Sequence, residues 1–451
     1  MAQYQWMLLT LDLIWTLFIF AFGACVGSLV NVLVYRLPLG ISVVTPPSRC
    51  PSCNTQLTFR ENIPILGWLL LRGKCRYCQT KISPEYPIVE AITAVLFAGV
   101  FILFYVLPGN AYGSWHAGGL VNTGPEWAAS GLGLTWPTLV VLLILVGSLV
   151  AMTIVDAKTF TIPLVLTWTP AIVGVVGHVG HAVWIEVSRG RLPDVAPGWN
   201  WTIATPVGAS AWWGIGGAIG GMVGLLVSNL LLSFGWIRRS FADYDVWEAE
   251  LRKTQEAAGE TAEAGGAAMN TPDVWVQYPH ARREMMKEVV FVAPVVALGF
   301  LGGALASRWG GVATFNPVTG LLALSNEPPL WLSVLGGVLL GYLVGGGVVW
   351  GTRIAGSLGF GKEAMGLGDV HLMAAVGACL GWIDAVLAFF LAAFVGVAWA
   401  VLGVVAGGKV KRSMPYGPFL AVATLLVLFC KPLIERGLTR LLHAEVPINL
   451  P

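Results

Sequence analysis

Two aspartates at the ends of apolar segments are the residues of this 451-residue chain best suited to chemistry. Asp156 closes one apolar run, and Asp369 ends the sequence Gly366-Leu-Gly-Asp369. A carboxylate at the edge of a lipid-facing segment is costly, so it usually has a function or a partner. Two neighbouring carboxylates do not ionise easily together, so one can activate a water while the other protonates a carbonyl. An aspartic protease requires this arrangement.

A structural alternative exists for the second aspartate. Glycines permit a tight helix-entry turn, and Asp369 could then serve only as the helix cap. The residues by themselves leave both interpretations open.

Four cysteines form the second group with chemical meaning. Cys50-Pro-Ser-Cys53 and Cys75-Arg-Tyr-Cys78 are two C-x-x-C pairs in one loop. Two such pairs can complete a tetrahedral Zn²⁺ site, and four protein ligands leave no open position, so the metal would be structural. Two disulfides or a redox pair are the alternatives, but a cytoplasmic loop is reducing, which argues against disulfides.

The elements that position these residues are membrane helices. Hydrophobic residues make up 56% of the chain and charged residues 11%, with a mean hydropathy of +0.75. We predict an all-α polytopic integral membrane protein with about ten transmembrane helices for a bilayer core of about 30 Å, plus a small cytoplasmic zinc-ribbon-like loop domain. The predicted segments are 8–34, 87–107, 136–155, 164–183, 207–236, 289–307, 330–352, 370–382 (a short one), 384–406 and 417–435.

The distribution of Lys and Arg predicts the orientation. With the N-terminus outside and alternating segments, 20 of the 26 basic residues fall in inner loops, as the positive-inside rule requires. Asp156 and Asp369 then both face the cytoplasm. The inner loops in this topology are 35–86, 156–163, 237–288, 353–369 and 407–416.

Several blocks of sequence, in this order, resemble the type IV prepilin peptidases, a family of GxGD-type membrane aspartyl proteases. The blocks are 27–38, 60–68, 72–78, 82–90, 366–369 and 414–419. The resemblance implies an aspartic endopeptidase that removes the basic leader of type IV prepilins or pseudopilins at the cytoplasmic face. Many members also methylate the new N-terminus with S-adenosylmethionine, so that activity and its donor are expected too.

By this resemblance Asp156 and Asp369 carry over as the catalytic pair, while the cysteine spacing assigns a structural Zn²⁺ to its ligands. Those ligands are Cys50, Cys53, Cys75 and Cys78. Prepilins or pseudopilins and the lipid bilayer are the expected partners, and nucleic acid is not. We expect a multi-pass protein of the bacterial inner membrane whose active site faces the cytoplasm, with the last inner loop, 414–419, shaping the rim of that site.

Three departures from the family pattern stand out. Leu164 occupies a position where the family often has Asp, and His371 one where it often has Lys. Residues 184–329 are expected to be an insertion with two extra membrane helices and the inner loop 237–288. The expected domains are the first helix, 1–35; the zinc loop, 36–86; the first half of the peptidase core, 87–183; the insertion, 184–329; and the second half of the core, 330–451.

Other functions would account for parts of the sequence. A transporter or channel would use acidic residues near segment centres, whereas here most segment interiors lack charge. Another GxGD intramembrane protease would not need the cysteine loop. A zinc-loop scaffold or a protein that only methylates would not need both aspartates.

Overall fold

A computed structural model describes most of the chain, and it is nearly all helical. The described residues are 2–107, 128, 131–189, 203, 210–244, 246–247, 249–250, 278, 281–310, 313–316, 321–324, 326–361, 363–406 and 415–443. The helices are α1 (Ala2–Arg36), α2 (Leu66–Leu70), α3 (Glu85–Phe101), α4 (Leu132–Thr159), α5 (Leu164–Arg189), α6 (Ala211–Ser233), α7 (Ala281–Ala306), α8 (Leu330–Phe360), α9 (Leu367–Leu380), α10 (Trp382–Val405) and α11 (Gly417–Leu441).

Short irregular elements complete these helices. A π-helical turn, Ile102–Val106, continues α3, and a 3-10 turn, Ser307–Gly310, continues α7. Strands β1 (Ala313–Asn316) and β2 (Leu321–Leu324) form one antiparallel hairpin. The hairpin is a minor addition to the predicted all-α architecture.

The helical membrane architecture is confirmed, but the number of spans is smaller than predicted. Among the described residues, eight helices are long and apolar enough to cross a membrane, or nine if the bent α11 counts as one span. The eighth predicted segment, 370–382, corresponds to α9, which has only 14 residues. The tenth, 417–435, corresponds to α11, which bends by 85° beyond Lys431. Pro432, which follows there, has no backbone N–H with which to continue the helix.

Helices α4 and α9 form the centre of the bundle. Of the 14 residues of α9, 11 are buried, and α4 buries most of its apolar surface in the same core. On one side of α9, the α5 residue His178 brings Nε2 to 3.2 Å from the carbonyl oxygen of Cys379. Helix α8 also packs closely on α9, since a Cβ on Gly341 would lie 2.0 Å from the carbonyl oxygen of Gly377. These neighbours fix α9, and therefore the start of α9, in the protein interior.

Helices α6 and α7 pack tightly on each other, and α6 also packs on α8. A Cβ added to Gly220 would lie 2.1 Å from the carbonyl oxygen of Leu298, so only glycine permits this approach. Small residues commonly allow membrane helices to come this close. The two helices of the expected insertion therefore form a compact pair attached to the second half of the bundle.

Candidate active site

Asp156 lies in the last turn of α4 and is 6% exposed. The helix ends three residues later because Phe160 takes a left-handed conformation with φ 55°, and its N–H donates to the Asp156 carbonyl at 2.9 Å. The side chain of Asp156 accepts a hydrogen bond of 3.1 Å at Oδ2 from the backbone N–H of Gly417. The start of α11 thus orients this carboxylate.

Asp369 lies in the first turn of α9 and is 7% exposed. The N-cap position belongs to Gly366, which is extended with φ −70° and ψ 148° and makes no side-chain cap hydrogen bond. The interpretation of Asp369 as the helix cap is therefore wrong. Its carboxylate faces the interior at the positive end of the helix, where negative charge is favoured.

The two aspartates are brought together by three converging segments. The charge of Asp156 acts on Asp369 directly. Ile162, just beyond α4, lies against both neighbouring turns. A Cβ on Gly368 would be 3.1 Å from the Ile162 Cβ, and one on Gly417 would be 3.3 Å from the Ile162 Cδ1. Two buried like charges at this proximity favour a shared proton, which is the condition for acid–base work on a water molecule.

The start of α11 supplies groups that sequence reasoning assigned only to the rim. Besides the Gly417 amide, the phenol of Tyr416 lies close to the pair. Burial, and secondly the charge of Asp369, raises the pKa of Tyr416. A neutral phenol beside two carboxylates can donate a hydrogen bond. Of the expected rim segment, Met414 lies outside the described residues.

The four cysteines form one cluster whose sulfur atoms all lie within 4.8 Å of one another. The Sγ atoms of Cys50 and Cys78 are 3.8 Å apart, and those of Cys53 and Cys75 are 4.0 Å apart. Thiolates about 2.3 Å from a tetrahedral metal are about 3.8 Å from one another, so the spacing of the cluster is close to what a bound metal requires. Hydrogen bonds from the side chain and backbone of Thr80 lower the pKa of Cys78 to about 6, which favours the thiolate. The cluster can therefore bind a metal ion.

The cysteine loop is attached to the helix end that carries Asp156. The backbone N–H of Ile65 donates to Glu90 Oε2 on α3 at 2.7 Å, and the Trp68 indole donates to the Ile82 carbonyl at 3.1 Å. Lys158, two residues after Asp156, forms an ion pair with Glu85 at the start of α3. The cysteine cluster and the aspartates therefore lie toward the same end of the bundle.

The fold and site define a polytopic membrane protein with a buried aspartate pair and an attached four-cysteine loop. Two family models match it. Residues 21–104 match the bacterial Peptidase A24 N-terminal domain, and residues 294–401 match the type IV leader peptidase family. Both matches confirm the resemblance found in the sequence. The four clustered cysteines and Asp369 lie within the matched residues, whereas Asp156 lies in the stretch between the two matches. The second match begins inside the expected insertion, 184–329.

Known relatives carry corresponding names. Proteins named "Prepilin leader peptidase/N-methyltransferase" are 50% identical over 84 residues in Myxococcus xanthus, 41% over 102 residues in Klebsiella pneumoniae and 32% over 166 residues in Pectobacterium carotovorum. These matches cover 19%, 21% and 32% of this chain and 25%, 44% and 49% of the respective relatives. The similarity thus spans half or less of each relative. No solved structure matches the chain.

Proposed function

We propose that this protein is a membrane aspartic endopeptidase that removes the basic leader of type IV prepilins or pseudopilins. The observation that carries the proposal is the convergence of Asp156 and Asp369, both buried and electrostatically coupled, from two separate helices. The family-model matches and the relatives' names support the choice of substrate.

In this proposal the aspartate pair shares one proton. The ionised carboxylate accepts a proton from a water molecule, and the water oxygen attacks the scissile carbonyl. The protonated partner donates its proton to the carbonyl oxygen, and the tetrahedral intermediate collapses with a proton passing to the leaving amine. The Gly417 amide holds Asp156 in place during these steps, because it donates to the same carboxylate.

The substrate class defines the depth at which the aspartate pair must lie. A prepilin has a short basic leader followed by a long apolar helix, and the positive-inside rule keeps that leader in the cytoplasm. The scissile bond would then lie at the inner rim of the bacterial inner membrane. We propose that Asp156 and Asp369 face the cytoplasm at that depth, which agrees with the Lys and Arg distribution.

Mass spectrometry of a co-expressed prepilin tests this function. We expect Asp156→Asn and Asp369→Asn each to lower cleavage by about 10²–10⁴-fold, because each removes an ionisable group while keeping the side-chain size. Asp384→Asn is the matched control, since Asp384 is a buried aspartate that pairs instead with Lys431, at 3.2 Å. Full cleavage by either active-site variant would contradict the proposal.

We extend the proposal to methylation of the newly exposed N-terminus, with S-adenosylmethionine as the methyl donor. This part rests on the relatives' names and on the family resemblance, because no contact among the described residues defines a donor site. The same mass spectrum reports it as an added methyl group on the mature pilin.

We further propose that the cysteine cluster binds one structural Zn²⁺. Four thiolates are a donor set that zinc prefers, and a closed set leaves no position for a substrate. The ion would connect the two turns of a loop that buries few of its apolar side chains. Its removal is expected to unfold the loop rather than to abolish the aspartate chemistry directly.

A further inference from the structure

A buried ion cluster lies beside the aspartate pair and involves Arg353, which is 1% exposed on α8. Its Nε donates to both carboxylate oxygens of Glu288 on α7, at 2.9 and 3.2 Å. Glu288 also accepts hydrogen bonds from the Ser240 hydroxyl at 2.7 Å and from the Trp350 indole at 2.9 Å. Sequence reasoning placed Arg353 in an inner loop, but α8 continues to Phe360.

The other side of the same guanidinium holds the segment that leads to Asp369. Its Nη1 donates to the backbone carbonyl of Met365 and to the carboxylate of Glu363. Met365 immediately precedes Gly366, the N-cap of α9, whose carbonyl accepts the Asp369 N–H at 3.3 Å. The charge of Arg353 also acts on Asp369 itself. Movement of the guanidinium would therefore move the turn that aims this carboxylate.

An aromatic cluster from outside the matched family residues covers this arrangement. The ring of Phe241 lies 5.7 Å from the guanidinium carbon and contacts Tyr244 and Tyr278. The Tyr278 N–H donates to the carbonyl of Gly361, at the end of α8, at 2.8 Å. Tyr278 also donates its hydroxyl to Asp243 at 2.9 Å. The insertion is thus bonded to both ends of the 361–365 turn, at Gly361 directly and at Met365 through Arg353.

The contacts of Arg353 fall into two groups, those inside the residues matched by the family model and those outside them. Arg353, Glu363 and Met365 lie within the matched residues 294–401, whereas Glu288 and Phe241 lie outside them. A buried guanidinium is costly unless its charge and donors are satisfied. Glu363 is on the turn itself, so Glu288 is the partner that anchors Arg353 to a separate helix.

We infer that Arg353 is a positioning residue for Asp369, and that the inserted segment sets its position through Glu288 and Phe241. The inference rests on the proposed peptidase function. In this arrangement Glu288 and Phe241, which lie outside the matched residues, hold Arg353 and through it the orientation of Asp369 toward Asp156.

Steady-state cleavage of a prepilin by the purified full-length enzyme tests this role. Arg353→Lys keeps the charge but replaces the planar fork with one ammonium, which cannot serve Glu288 and Met365 together. The fraction of folded enzyme is taken from a thermal unfolding curve, and kcat is expressed per folded enzyme. We expect this kcat to fall about 10²-fold while KM changes by less than about twofold. Glu288→Gln should act in the same way, and the double variant should lose little more than either single variant, because both act through one guanidinium.

Asp384→Asn is the matched control, since it breaks a buried aspartate–lysine pair at the opposite end of α9. Its kcat per folded enzyme should stay near that of the unmodified protein even where its unfolding temperature falls. Retention of kcat by Arg353→Lys and Glu288→Gln, or a loss no larger than that of the control, would overturn the inference. Failure of the unmodified protein to cleave would instead refute the proposed function.

Discussion

At the scale of single residues, the orientation of Asp156 depends on a backbone group. The Gly417 N–H reaches this carboxylate only because no side chain intervenes: a Cβ at position 417 would lie 2.5 Å from Asp156 Oδ2. Such a distance is below any real contact, so the carboxylate or the start of α11 would have to move. A shift of about 1 Å in a catalytic group can lower a rate by about 10²-fold.

We therefore predict that Gly417→Ala lowers prepilin cleavage by about 10²-fold while the protein still inserts. Gly351→Ala is the control, because a Cβ there meets nothing within 4 Å. Cleavage is followed by the mass shift of the co-expressed prepilin. Equal cleavage by the two alanine variants would show that the Gly417 contact does not matter for activity.

At the scale of elements, the cysteine loop is the part most dependent on a bound ion. Few of its apolar side chains are buried, and its two turns are joined chiefly through the sulfur cluster and the contacts of Trp68 and Glu90. Metal binding by such a loop contributes directly to its folding, because the site does not exist in the unfolded chain.

We predict one Zn²⁺ per chain in freshly purified protein, measured by elemental analysis. Cys75→Ser should lose the metal and become sensitive to limited proteolysis in the loop, because the buried Cys75 is one of four ligands. Cys25→Ser, at an exposed cysteine outside the cluster, should change neither property. Metal-free protein with an intact, protease-resistant loop would contradict this prediction.

The elements also show what the sequence could predict. The segment 87–107 corresponds closely to the span Glu85–Val106, because a continuous apolar run that ends before Pro108 determines both. The four-cysteine cluster followed from spacing within one loop. The bond between Arg353 and Glu288, by contrast, joins residues 65 positions apart, and no local pattern encodes it. The hydrogen bond from the Gly417 N–H to Asp156 joins residues 261 positions apart and could not be predicted either, because a backbone N–H has no sequence signature.

At the scale of the whole molecule, the proposed function requires one orientation in the membrane. The ends of α3 and α4 that carry Glu85 and Lys158 contact each other, so the cysteine loop and Asp156 belong to the same end of the bundle. A labelling experiment that shows on which face of the membrane the cysteine loop lies therefore also shows on which face Asp156 lies.

We predict that Cys introduced at Lys158, in a variant whose other cysteines outside the cluster are replaced, reacts with an impermeant thiol reagent only in inverted vesicles. Lys158 is 49% exposed on its side chain and adjoins the site without forming part of it. Cys introduced at Trp382, beside the Gly381 corner at the opposite end of α9, should react only in right-side-out vesicles. The reverse pattern would overturn the orientation and with it the proposed substrate.

The shortness of α9 has a consequence for how the bundle spans the membrane. Helices α9 and α10 meet at Gly381 and run from the same corner, yet α9 has 14 residues and α10 has 24. At 1.5 Å per residue α9 extends about 21 Å, some 9 Å less than a typical hydrocarbon layer. With the Gly381 corner at one interface, the polar turn before Asp369 would fall short of the other interface, where it is tolerated because protein surrounds it. Because protein rather than lipid surrounds α9, its shortness creates no mismatch with the bilayer, and its longer neighbours α4 and α8 carry the thickness of the membrane instead.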